Sequence, residues 1–161
     1  MTGAVLGAAA LTTGLVAGVF VLYAHTIMPG LARTDDRTFV GAFQAIDRAI
    51  INPWFMACFF GMLILSGVAA VLHLPAERHD GLPWTVAAFV LNLVVIVITV
   101  AVNVPRNDAI KAAGDPDRLA DLAGVRRDFG EARWRASNLV RVVLNCAAFG
   151  CLLVALARYG G

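Results

Sequence analysis

The chain has 161 residues, 60% of them hydrophobic and only 15% charged, with a mean hydropathy of +0.77. Soluble domains run nearer a quarter charged and under half apolar, so this balance excludes an ordinary water-exposed fold and points to lipid as the solvent. One small domain is all the length allows, and a net charge of +2 with no basic run of five gives no sign of a nucleic-acid partner.

Gly3–Tyr23 is the first of four apolar runs long enough to cross about 30 Å of hydrocarbon. No positively charged segment precedes it, so it reads as a retained first span and not a cleaved signal. Gly7, Gly14, Gly18 and His25 recur at one-face spacings of 7, 4 and 7. Small residues in membranes mark the face where helices meet, which predicts that His25 points into the bundle. A buried ionisable group there serves either a structural bond or chemistry.

Loop 1, Ala24–Pro53, contains a surface helix capped by Asp35, with Phe39, Phe43, Ile46 and Ile50 as its apolar stripe. Gln44, Asp47 and Arg48 fall on the opposite, solvated face. Asn52-Pro53 ends this helix and starts the second span, Trp54–Leu72. Loop 2, His73–Pro83, is short and turn-like, and His73 and His79 read as ordinary loop residues. The third span, Trp84–Val104, carries Asn92, Thr99 and Asn103 on one face.

Loop 3, Pro105–Ser137, breaks at Gly114-Asp115-Pro116. A helix is expected from Asp115 or Asp117 that runs unbroken into the fourth span, Leu139–Ala157, with Leu119, Leu122, Val125, Phe129 and Ala132 as its apolar face. Along that helix Glu131, Trp134, Asn138, Arg141 and Asn145 follow at spacings of 3, 4, 3 and 4. Lipid penalises such a polar stripe, so it must face other helices or a wet cavity, with the Asn92/Thr99/Asn103 face as partner. For Asn92 and Asn145 the bland reading, a packing ladder, is the better one. A carboxylate and a guanidinium near a helix end suit a pocket, which favours function for Glu131, Asn138 and Arg141.

The expected fold is therefore all-α: a four-transmembrane-helix bundle in one membrane domain, with an amphipathic surface helix in loop 1 and a long fourth helix extending out of the membrane. Trp54, Trp84 and Trp134 lie near helix ends, where indole rings favour the interface. Cys58, Cys146 and Cys151 sit inside apolar stretches and give no disulfide framework. Loops 1 and 3 hold ten of the thirteen Lys and Arg residues, Arg78 and Arg158 lying on the other side. The positive-inside rule then puts both long loops in the cytoplasm and both termini outside a cell membrane.

No HExxH, CxxC, GxGxxG, Walker loop or GxSxG is present. A metal held by His25 with Asp47 or Glu131 is a weak alternative, since one histidine with scattered carboxylates is a poor ligand signal.

Four motifs in order carry a resemblance. They are Gly18-Val19-Phe20 with Ile27-Met28-Pro29-Gly30-Leu31; Phe43-Gln44-Ala45-Ile46-Asp47 with Asn52-Pro53; Asn103-Val104-Pro105-Arg106-Asn107-Asp108; and Trp134-x-x-x-Asn138-x-x-Arg141. Together they resemble the anthrone oxygenase-like family of small four-helix membrane proteins, over essentially the whole chain. Arg106 stands where a leucine is usual, and His25 where a small or hydroxylic residue is common. The resemblance implies oxidation of anthrones to anthraquinones by O₂ as co-substrate, with no metal or flavin, on a lipophilic polyketide-type substrate that arrives through the bilayer.

That chemistry needs a base, donors for an enolate oxygen and an apolar slot. His25 is the candidate base, because a pKa near 6.5 suits proton abstraction at neutrality. Arg141 and Asn138, with Asn103, are candidate oxyanion donors, and Glu131 or Asp47 would orient His25 or Arg141. Asp47, Arg48, Asn103, Asn107 and Trp134 are the candidate substrate-binding residues. The rival reading is a non-catalytic membrane protein that binds a lipophile or scaffolds a partner through loops 1 and 3. The oligomeric state, including a homo-oligomer, stays open.

Overall fold

The structure, a computed structural model, describes residues 1–75 and 80–160, so Arg78 and His79 lie outside the described residues. Helix α1 (Thr2–Leu22) passes through a π-helical turn (Tyr23–Ile27) into the short α2 (Met28–Leu31). Then come α3 (Asp36–Ile50), α4 (Pro53–Leu72), and α5 (Leu82–Ile98), which runs through a second π-turn (Thr99–Asn103) into α6 (Val104–Ala112). Helices α7 (Leu122–Phe129) and α8 (Glu131–Gly160) complete the chain. Four stretches are long and apolar enough to cross a membrane: Thr2–Leu31, Pro53–Leu72, Leu82–Ala112 and Leu122–Tyr159. The four-span expectation and the surface helix of loop 1 are both met.

In the bundle α1 packs on α4 and α8, and α5 packs on α8 and α4, which makes a four-sided ring. Its terminal end is closed by small side chains. Ala9, Ala10, Ala69, Ala88, Ala148 and Ala155 are each 5% exposed or less around Leu6 and Leu152. In lipid there is no hydrophobic drive between helices, so close approach through small residues supplies the attraction. The packed face of α1 is Leu6, Ala9, Ala10, Thr13, Val16, Ala17 and Phe20, not the glycine register. Gly14 does meet Phe149 of α8, but a side chain at Gly7 or Gly18 would touch nothing within 4 Å. Val16, Phe20, Phe59, Met62 and Val95 fill the middle.

Above the bundle sits a second layer of α2, α3, α6, α7 and the start of α8. Asp35 caps α3, accepting from the Thr38 N–H at 2.7 Å, and Asn52 caps α4 through the Phe55 N–H at 3.0 Å with Pro53 in its first turn. Phe39, Val40, Phe43, Ile110, Phe129 and Trp134 form its core, with the Phe43 and Phe129 rings 4.5 Å apart. Fully burying one such ring stabilises the fold by roughly 1.5–3 kcal/mol. Gln44, expected on a solvated face, is buried and donates to the Ile110 and Gly114 carbonyls at 2.8 and 3.0 Å. Those carbonyls are orphans at the end of α6, so the amide ties α3 to α6.

Two boundaries differ from expectation. The third helix does not end at Pro105: residues 104–112 continue it as α6, because a proline in the first turn after a π-turn removes no needed donor. The fourth helix is not unbroken from Asp115 or Asp117. Asp121 caps α7, and Gly130, left-handed at φ +68°, ends it before α8 begins. The kink turns Ala132 outward, while Leu119, Leu122, Val125 and Phe129 pack as expected. Helix α8 has 30 residues, so at about 1.5 Å per residue it outreaches the hydrocarbon and projects into the second layer.

Candidate active site

Between the two layers lies a cavity of about 250 Å³. Its walls are mostly aromatic and aliphatic: Phe20, Tyr23, Phe55, Phe59 and Trp134 with Val19, Ile50 and Met56. The polar side chains that line it include Arg141 and Thr99 at the bundle side and Asp47, Asn107, Asp108 and Lys111 at the upper side. Apolar walls with a few convergent polar groups are the usual make-up of a small-molecule site.

Arg141 is 5% exposed and comes from the buried stripe of α8. Its two terminal nitrogens donate to Thr99 Oγ1 at 3.2 Å and Asn138 Oδ1 at 2.9 Å, and Asn138 Nδ2 in turn donates to the Phe20 carbonyl at 3.0 Å. The guanidinium lies 4.2 Å over the Phe20 ring and 5.6 Å from Trp134. Among the described residues no carboxylate pairs with it, and its Nε has no partner. A buried cation left without an anion is costly unless a ligand supplies the charge.

Asp47 is held from two sides. Lys111 Nζ sits 2.7 Å from Oδ2, and Asn107 Nδ2 donates to Oδ1 at 2.6 Å. Asn107 is oriented by the Trp134 indole N–H at 2.8 Å, and Lys111 also reaches the exposed Asp108 at 3.1 Å. Deeper, Asn145 donates to Asn92 at 2.9 Å, and Asn92 donates to the Met62 carbonyl at 3.1 Å. That pair is the packing ladder anticipated for it, one turn below the cavity.

The expected site residues divide into those the fold brings together and those it does not. Arg141, Asp47, Asn107 and Trp134 line one cavity, and Asn138 grips Arg141 from behind. Trp134 is therefore a buried wall, 3% exposed, and not an exposed interfacial ring, whereas Trp54 is 85% exposed. Asp47 is buried although its face had been expected to be solvated, while Arg48 beside it is exposed and outside the cavity.

His25 does not face the bundle. It is exposed, its Nδ1 2.6 Å from Thr26 Oγ1. The register with Gly18 holds, but that register lies on the outer face of α1: Gly18 and Leu22 are exposed as His25 is, while Phe20, Tyr23 and Met28 take the inner face, with the π-turn's Met28 N–H bonded to the Tyr23 carbonyl. Glu131 is half-buried between Arg126 and Arg135, at 3.5 and 3.7 Å, and orients neither His25 nor Arg141. His25, Asp47 and Glu131 thus each hold a different partner, and no metal-binding group of three forms among the described residues. Asn103 is buried against Ser137, 3.2 Å away, outside the cavity wall. Arg106 folds back on the Val102 carbonyl at 2.7 Å.

Four other residues escaped the sequence reading. Tyr23 and Lys111 line the cavity, and His73 is buried, its Nδ1 2.7 Å from the Ala69 carbonyl. Lys111 follows Asn103 and Asn107 at spacings of four, a signal visible only once the helix is carried past Pro105. Arg126 was also missed; it bonds Thr34, Ala32 and Asp36 and so clamps the α2–α3 turn. The three cysteines are free, and Cys146 faces outward.

A protein-family model described as anthrone oxygenase matches residues 55–151. The match takes in the Asn103–Asp108 and Trp134–Arg141 motifs, and the motifs of α1 and α3 precede it. No curated protein and no solved structure matches the chain.

Proposed function

The chain belongs to the anthrone oxygenase family, and from that premise we propose that it oxidises a lipophilic anthrone or phenolic polyketide-type substrate with O₂ in the cavity between its two layers. One observation carries the reading: a buried guanidinium, without a carboxylate partner among the described residues, aims at an aromatic-walled slot. An anthrone enolate is a flat apolar body with one anionic oxygen, and it complements that slot in shape and charge.

In this mechanism Asp47 takes a methylene proton while Arg141 receives the growing negative charge on the carbonyl oxygen. A cation pre-organised where charge develops lowers the barrier most when water is excluded. The enolate carbon then gives its electrons to O₂, and the peroxide formed takes the proton back from Asp47, leaving a hydroperoxide and a free carboxylate. Loss of water leaves the quinone: one oxygen atom remains as the new carbonyl, the other departs in water, and the two methylene hydrogens are accounted for. Asn138 and Thr99 fix the guanidinium plane, and Trp134 and Tyr23 flank the ring system. Ile51, 60% exposed beside the cavity, gives an apolar approach from the bilayer.

The test is oxygen uptake by the purified protein in detergent with a model anthrone, followed together with quinone absorbance. Catalysed uptake, with one quinone formed per O₂, is expected. A rate no higher than autoxidation without protein overturns the proposal and leaves the lipophile-binding reading.

A further inference from the structure

We propose that Lys111 is the general acid that breaks the O–O bond in the second half of this reaction, an assignment that rests on the oxygenase reading above. The hydroperoxide imposes a double demand. A base must remove the remaining proton from carbon, and the departing oxygen must receive a proton to leave as water. The two groups have to stand side by side over the same few ångströms.

The cavity holds such a pair. Asp47 Oδ2 and Lys111 Nζ are 2.7 Å apart, and both residues line the wall. The other cation, Arg141, is unsuited, because a guanidinium does not release its proton in proteins. Lys111 is an ammonium at neutral pH, and giving a proton to a leaving hydroxide is downhill. Asp47 takes the C–H proton, the C–H electron pair becomes the second bond of the carbonyl, and the O–O pair leaves on oxygen. Lys111 protonates that oxygen, and water departs. Asp47 then holds a proton beside a neutral amine, and transfer across the 2.7 Å contact restores carboxylate and ammonium.

The surroundings fit a working acid better than a structural bridge. The Asp47 side chain is 8% exposed, that of Lys111 19% and that of Asp108 63%, so the lysine spans from the cavity to solvent. Breaking even with a hydrophobic pair is the usual fate of a shielded ion pair. The pair is nonetheless built into the wall of a slot lined mostly by aromatic and aliphatic side chains.

The experiment compares Lys111→Met and Lys111→Arg with the parent in detergent, following O₂ uptake, quinone absorbance and peroxide titrated in quenched samples. The parent should form quinone in step with O₂ uptake. Both variants should still take up O₂ but release quinone more slowly, by on the order of 10²–10⁴-fold, with peroxide accumulating. Arginine keeps the ion pair with Asp47 yet cannot serve as the acid, so it decides the matter even if the methionine variant misfolds. Quinone in step with O₂ in Lys111→Arg would make Lys111 a positioning residue and overturn the assignment. So would an equal loss of O₂ uptake and quinone, which would put Lys111 before oxygen addition. A parent that consumes no O₂ overturns the oxygenase reading instead, and with it this step.

Discussion

Replacing Arg141 by methionine sets the two roles of that residue against each other. In the fold, the guanidinium is a buried cation without a carboxylate partner among the described residues, and its desolvation costs several kcal/mol after relaxation. Methionine removes that cost and fills much of the same volume. Against this, Asn138 Oδ1 loses its donor, a penalty of roughly 1–3 kcal/mol. The contact with Phe20 at 4.2 Å is also lost, worth about 0.5–2 kcal/mol. Thr99 is spared, because its hydroxyl also donates to the Val95 carbonyl at 2.8 Å. The opposing quantities are of similar size, so thermal unfolding in detergent should shift by only a few degrees in either direction. Activity should not survive: losing a pre-organised oxyanion donor typically costs 10²–10³-fold in turnover. Arg141→Lys, which keeps charge without the planar fork, should fall between. The assays are oxygen uptake and a melting curve on the same preparation. Turnover within a few-fold of the parent would refute the oxyanion role, and a large fall in melting temperature with lost activity would make Arg141 structural.

Asn138→Leu strips an acceptor from Arg141, while the Phe20 carbonyl keeps the Tyr23 N–H, and should destabilise the bundle by roughly 1–3 kcal/mol. Leu139→Ile, on the exposed face, should be nearly silent, and equal melting temperatures would contradict an interior stripe. His25→Ala should leave oxygen uptake within about two-fold, since surface substitutions away from special features change little; a large loss would restore His25 as the base. With the three native cysteines removed, a single cysteine near Arg37 should be shielded from an impermeant thiol reagent in intact cells, and one near Asp80 should label. The opposite pattern would invert the orientation while leaving four spans.

Much of this protein is dictated by local chemistry. Four runs of about 20 apolar residues must become helices in lipid, because only internal hydrogen bonding satisfies the backbone there. The polar stripe of α8 had to turn inward for the same reason, and Trp134, Asn138, Arg141 and Asn145 do. The Asp35 and Asn52 caps and the apolar stripe of α3 were equally legible, since each depends on residues within one or two turns. The facing of His25 was not. Its spacing from Gly14 and Gly18 carries it onto the glycine face, and close packing on α4 and α8 is made instead by the Leu6, Ala9, Ala10, Thr13, Val16 and Phe20 face. Gln44 and Asp47 read as solvated because their partners, the Ile110 carbonyl, Asn107 and Lys111, lie sixty or more residues away. A helical wheel assigns polar residues to water unless something else will bond them. Which carboxylate faces Arg141 across the cavity was therefore decided only when the second layer docked on the first.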